Sequence, residues 1–289
     1  MKIDGKTKVY GLFGYPVKHT FSPLMHNAAF EELGINSLYL AFCVKPDQLG
    51  ESLKAIGSLG LGGVNLTIPH KEAALAYLDE LSPEARLIGA VNTVVVRDGR
   101  LVGHNTDGLG FVASLRKDGR WKPQEKSVFI LGSGGAGKAI AIELAKAGVR
   151  LITLADLLPE RAKAIALNIN RNFPRCKARV CSLNKEAMAK DMGSSDLLIN
   201  ATPQGMRPRD RMPIDPSCLH QHLMVYDLIY NPLETKLINY ARSHGLKAFN
   251  GLGMLLYQGA ASFKLWTGRK APVEVMRKAL ASEIKGGKI

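Results

Sequence analysis

The stretch from Val128 to Asp156, VFILGSGGAGKAIAIELAKAGVRLITLAD, constrains the fold more than any other part of the chain. Val128 to Leu131 is a short apolar run bounded by glycine, which reads as a buried strand. Gly132, Gly134 and Gly137 then spell G-x-G-x-x-G. Helix formers follow from Ala139 to Ala147, Gly148 offers a stop, and Leu151 to Ala155 reads as a second apolar strand. Strand, glycine turn, helix and second strand in that order make a dinucleotide-binding unit. The first glycine allows a tight turn, the second lets backbone approach a pyrophosphate, and the third lets helix and strand pack closely. The helix start presents unpaired N–H groups to the phosphates. Asp156 closes the unit near the spacing of ~20 residues at which a carboxylate accepts from a ribose 2′-OH. Two rivals are weaker. Glycines that serve packing alone do not account for the acid. A P-loop reading of Gly132 to Lys138, G-x-x-x-x-G-K, needs Ser or Thr next to hold Mg²⁺, and position 139 is Ala.

Two medium domains are the expectation for 289 residues, of which 46% are hydrophobic and 22% charged, the balance of a globular chain with a real core. No apolar run approaches the ~18–20 residues of a membrane span, and MKIDGKTKVYGLFG lacks the apolar core of a secretory signal. Cys43, Cys176, Cys181 and Cys218 show neither C-x-x-C nor zinc spacing, so the expectation is reduced thiols, a cytoplasmic location and no metal site. The net charge of +14 comes from scattered Lys and Arg without basic runs or interleaved aromatics. That pattern is a basic surface able to steer anionic ligands, not a nucleic-acid interface.

Before the glycine unit the pattern is already β-α-β-α-β. Val9 to Gly14 reads as a strand. Ser22 is the expected N-cap of a helix over Pro23 to Leu33, with Pro23 at its first position. Leu38 to Val44 is a strand, Pro46 to Leu59 a helix, and Val64 to Ile68 a third strand. Pro69 then starts a helix that carries Lys71 in its first turn, an odd place for a cation given the helix dipole. It is also the carboxyl end of a strand, where open α/β sheets bind ligands. Ser82 caps another helix, and a hairpin turns at Asp98-Gly99 before the polar cluster Gly103 to Gly108. After Asp156, strands are expected near 178–181, 196–201, 224–229 and 246–249. Helices are expected over 159–170, 235–244, 251–266 and 272–284, the last two folding back onto the first domain.

Eight blocks in order resemble the shikimate dehydrogenase family, which includes quinate/shikimate dehydrogenases. They are GYPVKHTFSPLMHN (14–27), GVNLTIPHK (63–71), GAVNTVV (89–95), GHNTDG (103–108), the glycine turn, NATPQGM (200–206), VYDLIYNPLET (225–235) and GLGMLLYQGAASFKLWTG (251–268). The resemblance implies an α/β protein of two domains with a cleft between them. Residues 1–107 plus 251–289 would form an N-terminal open α/β substrate-binding, catalytic domain, and 108–250 a Rossmann-type dinucleotide-binding domain. It implies that Lys71 and Asp107 are the catalytic pair, and that Thr20 and Ser22 hold a substrate carboxylate. Thr67, Asn92, Tyr230 and Gln258 would line the rest of the pocket. Gly132, Ser133, Gly134, Gly135, Ala136, Asp156, Leu228 and Gly251 would contact the cofactor.

The implied activity is reversible NAD(P)-linked reduction of 3-dehydroshikimate to shikimate, with quinate as a second substrate; the alternative is an NAD-dependent quinate/shikimate dehydrogenase of a catabolic route. Its chemistry suits the pair: negative charge grows on a carbonyl oxygen, and an ammonium aimed by a carboxylate stabilises that charge and donates the proton. Small-molecule ligands and a monomer or homodimer are expected. A methylene-tetrahydrofolate dehydrogenase would share the layout but not explain Thr20 and Ser22 beside Asn92 and Asp107. A nucleotide-sensing protein without chemistry would not explain an intact Lys71 and Asp107. Two departures stand out. Thr20 replaces the first serine of the family's usual Ser-x-Ser. Asp156-Leu157-Leu158 replaces the Asn-Arg-Thr of members that use NADP. An Asp there would repel a 2′-phosphate and accept from a 2′-OH, so NAD is the expected cofactor. Arg161 and Lys138 keep NADP open.

Overall fold

The computed structural model describes residues 3–285. The chain divides into two compact units, one running to Gly110 and resuming at Leu255, the other spanning Phe111–Met254.

The first unit is built on a six-stranded mixed sheet. β1 (Lys8–Gly14) leads through α1 (Ser22–Glu32) to β2 (Ser37–Cys43), then α2 (Leu49–Ser58), β3 (Gly63–Leu66) and the short α3 (His70–Ala73). β4 (Glu80–Leu81), α4 (Pro83–Ile88), β5 (Thr93–Arg97) and β6 (Arg100–His104) complete its N-terminal part. The strand order is β2-β1-β3-β5-β6-β4, parallel from β2 to β3 and antiparallel through the β5–β6 hairpin. Asp98 and Gly99 both take left-handed φ, 50° and 76°, as a two-residue hairpin turn requires. Phe13, Val64, Leu66 and Val94 pack on Leu49, Leu53 and Ile56 of α2. Across the sheet, Tyr10 meets Phe30 of α1 and Trp266.

Helix α5 (Asp107–Lys117) then leads into the second unit: β7 (Ser127–Leu131), α6 (Gly135–Lys146), β8 (Leu151–Ala155), α7 (Pro159–Asn172), β9 (Lys177–Val180), α8 (Lys185–Met192), β10 (Leu197–Asn200), β11 (Met224–Asp227), α9 (Lys236–Ser243) and β12 (Ala248–Phe249). All six strands are parallel, in the order β9-β8-β7-β10-β11-β12. That is the doubly wound dinucleotide-binding topology, with its switch point between β7 and β10. α8 and α9 cover one sheet face through Met188, Met192, Leu237 and Ala241 against Phe129, Leu198 and Val225. The chain ends in α10 (Leu252–Thr267) and α11 (Val273–Lys285), and α11 packs along α1. No helix among the described residues is long and apolar enough to cross a membrane.

Several local expectations need correction. Phe21, not Ser22, occupies the N-cap of α1, with no side-chain cap, because Ser22 already lies in the helix ahead of Pro23. The helix expected over 46–59 begins as a 3-10 turn at Pro46–Gln48 before α2. β3 stops at Leu66, two residues short of Ile68. α5 and α8 were not anticipated, because α5 follows directly from a glycine-flanked polar cluster and α8 is a mostly polar segment.

Candidate functional site

Lys71 reaches its position because β3 ends one short turn earlier and Pro69 caps α3. Asp107 is the first residue of α5, where a carboxylate suits the helix dipole. Lys71 Nζ donates to Asp107 Oδ2 at 2.5 Å, with side chains 16% and 4% exposed. This charge-assisted bond in a nearly dry setting holds the ammonium in one direction. The other carboxylate oxygen accepts from Asn92 Nδ2 at 2.8 Å, and Asp107 N donates to Asn105 Oδ1 at 3.0 Å. Asn92 is itself fixed: its Oδ1 accepts from Thr106 N at 2.8 Å, and its Nδ2 reaches Gln258 Oε1 at 3.3 Å. Gln258 anchors to Leu255 O at 2.8 Å. A Cβ on Gly110 would lie 2.5 Å from the Gln258 backbone nitrogen, so only glycine lets α5 and α10 approach this closely.

Four of the expected residues, Lys71, Asp107, Asn92 and Gln258, thus form one hydrogen-bonded cluster. Thr20 and Ser22 form a second group, their hydroxyls 3.3 Å apart, and Ser22 N also donates to Thr20 Oγ1 at 3.3 Å. The Ser22 side chain makes no cap bond to α1. Thr67 packs its methyl against Gly14, and its carbonyl accepts from His70 N at 2.8 Å. Tyr230 follows β11 in the second unit.

Beneath Asn92 lies a buried polar network that sequence reasoning missed. Asn65 Nδ2, with two hydrogens to give, lies 2.9 Å from Asn92 O and 3.0 Å from both Thr93 Oγ1 and Ser262 Oγ, and Tyr39 donates to Asn65 Oδ1 at 2.8 Å. The only signal was one polar residue inside the apolar strand Val64–Leu66.

In the second unit Gly132 and Gly137 stand where no side chain fits. Gly132 takes φ +95°, and a Cβ there would sit 2.9 Å from Ala201 O. A Cβ on Gly137 would run into Gly132 O, so helix and strand touch at that point. A Cβ on Gly134 would meet nothing within 4 Å, leaving open space ahead of α6. Gly134 is the N-cap of α6 without a side-chain cap, and Ser133, Gly135 and Ala136 share the turn. This is room and N–H groups for a pyrophosphate. Gly251 lies against the Leu228 carbonyl, and its N–H donates to Ile229 O at 3.0 Å.

Asp156 also makes contacts within its own unit. Its Oδ2 accepts from Ser133 N at 2.6 Å and its Oδ1 from Leu158 N at 2.8 Å. The carboxylate therefore braces the glycine turn and the start of α7, and two N–H dipoles answer its charge. Among the described residues no group of three or more His, Cys, Asp and Glu is placed to hold a metal ion.

Comparison with known proteins gives a consistent picture. Residues 12–94 match the shikimate dehydrogenase substrate binding domain, and residues 251–281 the shikimate 5′-dehydrogenase C-terminal domain. The shikimate dehydrogenase (NADP(+)) of Desulforamulus reducens is 47% identical over 289 residues, covering 99% of both chains. A shikimate dehydrogenase solved in complex with NADP+ superposes with a TM-score of 0.88 at 43% identity, covering 98% of both chains. A shikimate 5-dehydrogenase of Listeria monocytogenes, solved with shikimate and NAD, gives a TM-score of 0.88 at 37% identity, covering 97% of this chain and 98% of that one. The expectation of NAD as cofactor is overturned: the curated relatives matched over the full length are NADP(+) enzymes by name, and one related structure holds NADP+. Asp156, on whose charge that expectation rested, has its carboxylate turned to backbone N–H groups of its own unit.

Proposed function

The chain belongs to the shikimate dehydrogenase family, and from that premise we propose that it catalyses the reversible NADP-linked reduction of 3-dehydroshikimate to shikimate. The observation that carries this reading is the Lys71–Asp107 bond at 2.5 Å, braced through Asn92 and Gln258. We assign the substrate to residues 1–107 plus 251–289 and the dinucleotide to residues 108–250. When bound, the reduced nicotinamide supplies the hydride. Lys71 donates a proton to the oxygen that becomes the alcohol, and Asp107 keeps the ammonium aimed. Asn92 prevents Asp107 from rotating. Thr20 and Ser22 hold the substrate carboxylate with hydroxyl donors, and Thr67, Tyr230 and Gln258 line the ring.

The open space at Gly134 and the uncapped start of α6 suit the pyrophosphate. Arg161, exposed in the first turn of α7 just beyond Asp156, is the candidate for the 2′-phosphate. We place the enzyme in the cytoplasm, where its four free thiols stay reduced, as a monomer or homodimer acting on small molecules. Quinate is the less favoured substrate, because relatives 47% and 43% identical over nearly the whole chain are shikimate dehydrogenases by name. Mixing the protein with shikimate and NADP should raise the absorbance of reduced nicotinamide, more than with NAD or with quinate. No rise with shikimate and either cofactor would overturn the reading.

A further inference from the structure

Beneath the carboxyl ends of β10 and β11 sits a buried carboxylate that the reaction scheme does not use. Asp227 is the last residue of β11, is fully buried, and pairs in register with Asn200, the last residue of β10. Its Oδ2 accepts from Thr235 Oγ1 at 2.7 Å. Its Oδ1 accepts from Asn200 Nδ2 at 3.0 Å and from Ile229 N at 3.2 Å. Each of those donors leads elsewhere. Asn200 Oδ1 accepts from Thr202 N and Thr202 Oγ1, at 3.1 and 2.7 Å, and Ala201 and Thr202 form the wall against which Gly132 turns. Thr235 accepts from Ile238 N at 3.2 Å and so caps α9. Ile229 follows Leu228, whose carbonyl lies against Gly251. One carboxylate therefore ties the wall behind the glycine turn to the segment that carries Leu228 and Gly251.

We propose that Asp227 is a positioning residue for the dinucleotide, and that its ionised form holds the Leu228–Ile229 segment in the arrangement that binds. The inference rests on the reading that Leu228, Gly251 and the glycine turn contact NADP. Among the described residues no charged side chain faces Asp227. Around it, Lys236 Nζ bonds to the Asp210 carbonyl at 2.6 Å and Arg242 to Glu234 at 2.5 Å. Tyr226 sends its hydroxyl to Ser114 at 2.9 Å. Only neutral donors face the carboxylate, and they do not offset its burial, so burial pushes the Asp227 carboxyl up to about 6. Above that pH all three donors are satisfied. Below it the group gains a proton, loses an acceptor position, and one donor must let go.

The test is NADPH binding, followed by nicotinamide fluorescence between pH 5 and pH 8, in the parent and in Asp227→Asn. A 2′-phosphate itself titrates near pH ~6, so the signal is the difference between the two proteins. The parent should weaken about five- to tenfold more than the variant as pH falls through 6, the low end of typical coupling between sites. Thr235→Val, which removes a donor to the ionised form, should move the parent's inflection to higher pH, and Thr235→Ser should restore it. If Asp227→Asn does not fold, the threonine pair decides. Identical pH profiles in parent and Asp227→Asn, or no shift in Thr235→Val, would overturn the inference while leaving the cofactor reading intact. Absence of NADPH binding by the parent at every pH would overturn both.

Discussion

Acid should unfold the first unit through His26, and the size of the effect follows from its surroundings. His26 lies on α1 with no exposed surface, its ring stacked on Tyr39 at 4.3 Å and near Phe263 and Trp266. Neither ring nitrogen has a hydrogen-bond partner among the described residues. Burial without a partner disfavours the imidazolium and pulls the group down from 6.5 to about 3. Between those values the unfolded chain binds a proton that the folded chain refuses. The contribution is complete above pH 6.5 and is lost as pH falls. Each pH step of one costs about 1.4 kcal/mol within that window, so at pH 5 the fold loses about 2 kcal/mol relative to pH 8. His26→Phe keeps a stacked ring and cannot titrate. Urea unfolding of parent and variant at both pH values gives the difference directly. Asp227 shifts the opposite way, becoming stabilising as pH falls through about 6, but it is common to both proteins and cancels. Equal losses in parent and His26→Phe would refute the argument.

The sites carry further expected outcomes. Lys71→Ala should lower turnover by about 10²–10⁴ with little change in the Michaelis constant, because the ammonium acts on charge that develops in the transition state. Asp107→Asn should lower turnover as well, since an amide cannot hold Lys71 by charge, and steady-state kinetics with full activity in either variant would remove the pair from catalysis. Thr20→Ala and Ser22→Ala should each raise the Michaelis constant for shikimate, by an amount worth about 1–3 kcal/mol with turnover preserved; unchanged constants in both would put the carboxylate elsewhere. Asp156→Ala should raise the Michaelis constants for NADP and NAD alike, because the carboxylate braces the glycine turn that serves both, and a gain confined to NADP would show that its charge discriminates.

The glycine unit was legible because three glycines, two apolar strands and a helix each obey a local rule, and all point to one topology. The β5–β6 hairpin was legible for the same reason, since Asp98 and Gly99 supply the two left-handed residues the turn needs. The first unit's cluster was read by family blocks, and geometry alone adds its supports. Asn65, Thr93 and Ser262 come from three separate elements, and nothing in the spacing of their sequence positions brings them together. Asp227 is similar: it stands at the end of an apolar strand, a place where a polar residue more often just marks the turn.

Asp156 shows where spacing stops being informative. A carboxylate at the end of the second strand of such a unit can turn toward a ribose or fold back onto its own glycine turn, and the strand pattern is identical in both cases. The choice depends on which backbone N–H groups lie within reach, and every residue except proline offers one. Ser133 N and Leu158 N are such groups, and neither residue's side chain is involved. A carboxylate satisfied in this way stabilises the turn for any dinucleotide. Discrimination by the 2′ substituent then falls to whichever cation stands at the mouth of that turn, and Arg161, one turn into the helix that Asp156 helps to start, is the residue whose removal should separate NADP from NAD. Arg161→Ala should therefore weaken kcat/KM with NADP far more than with NAD, and equal losses with the two cofactors would move the phosphate contact to another residue.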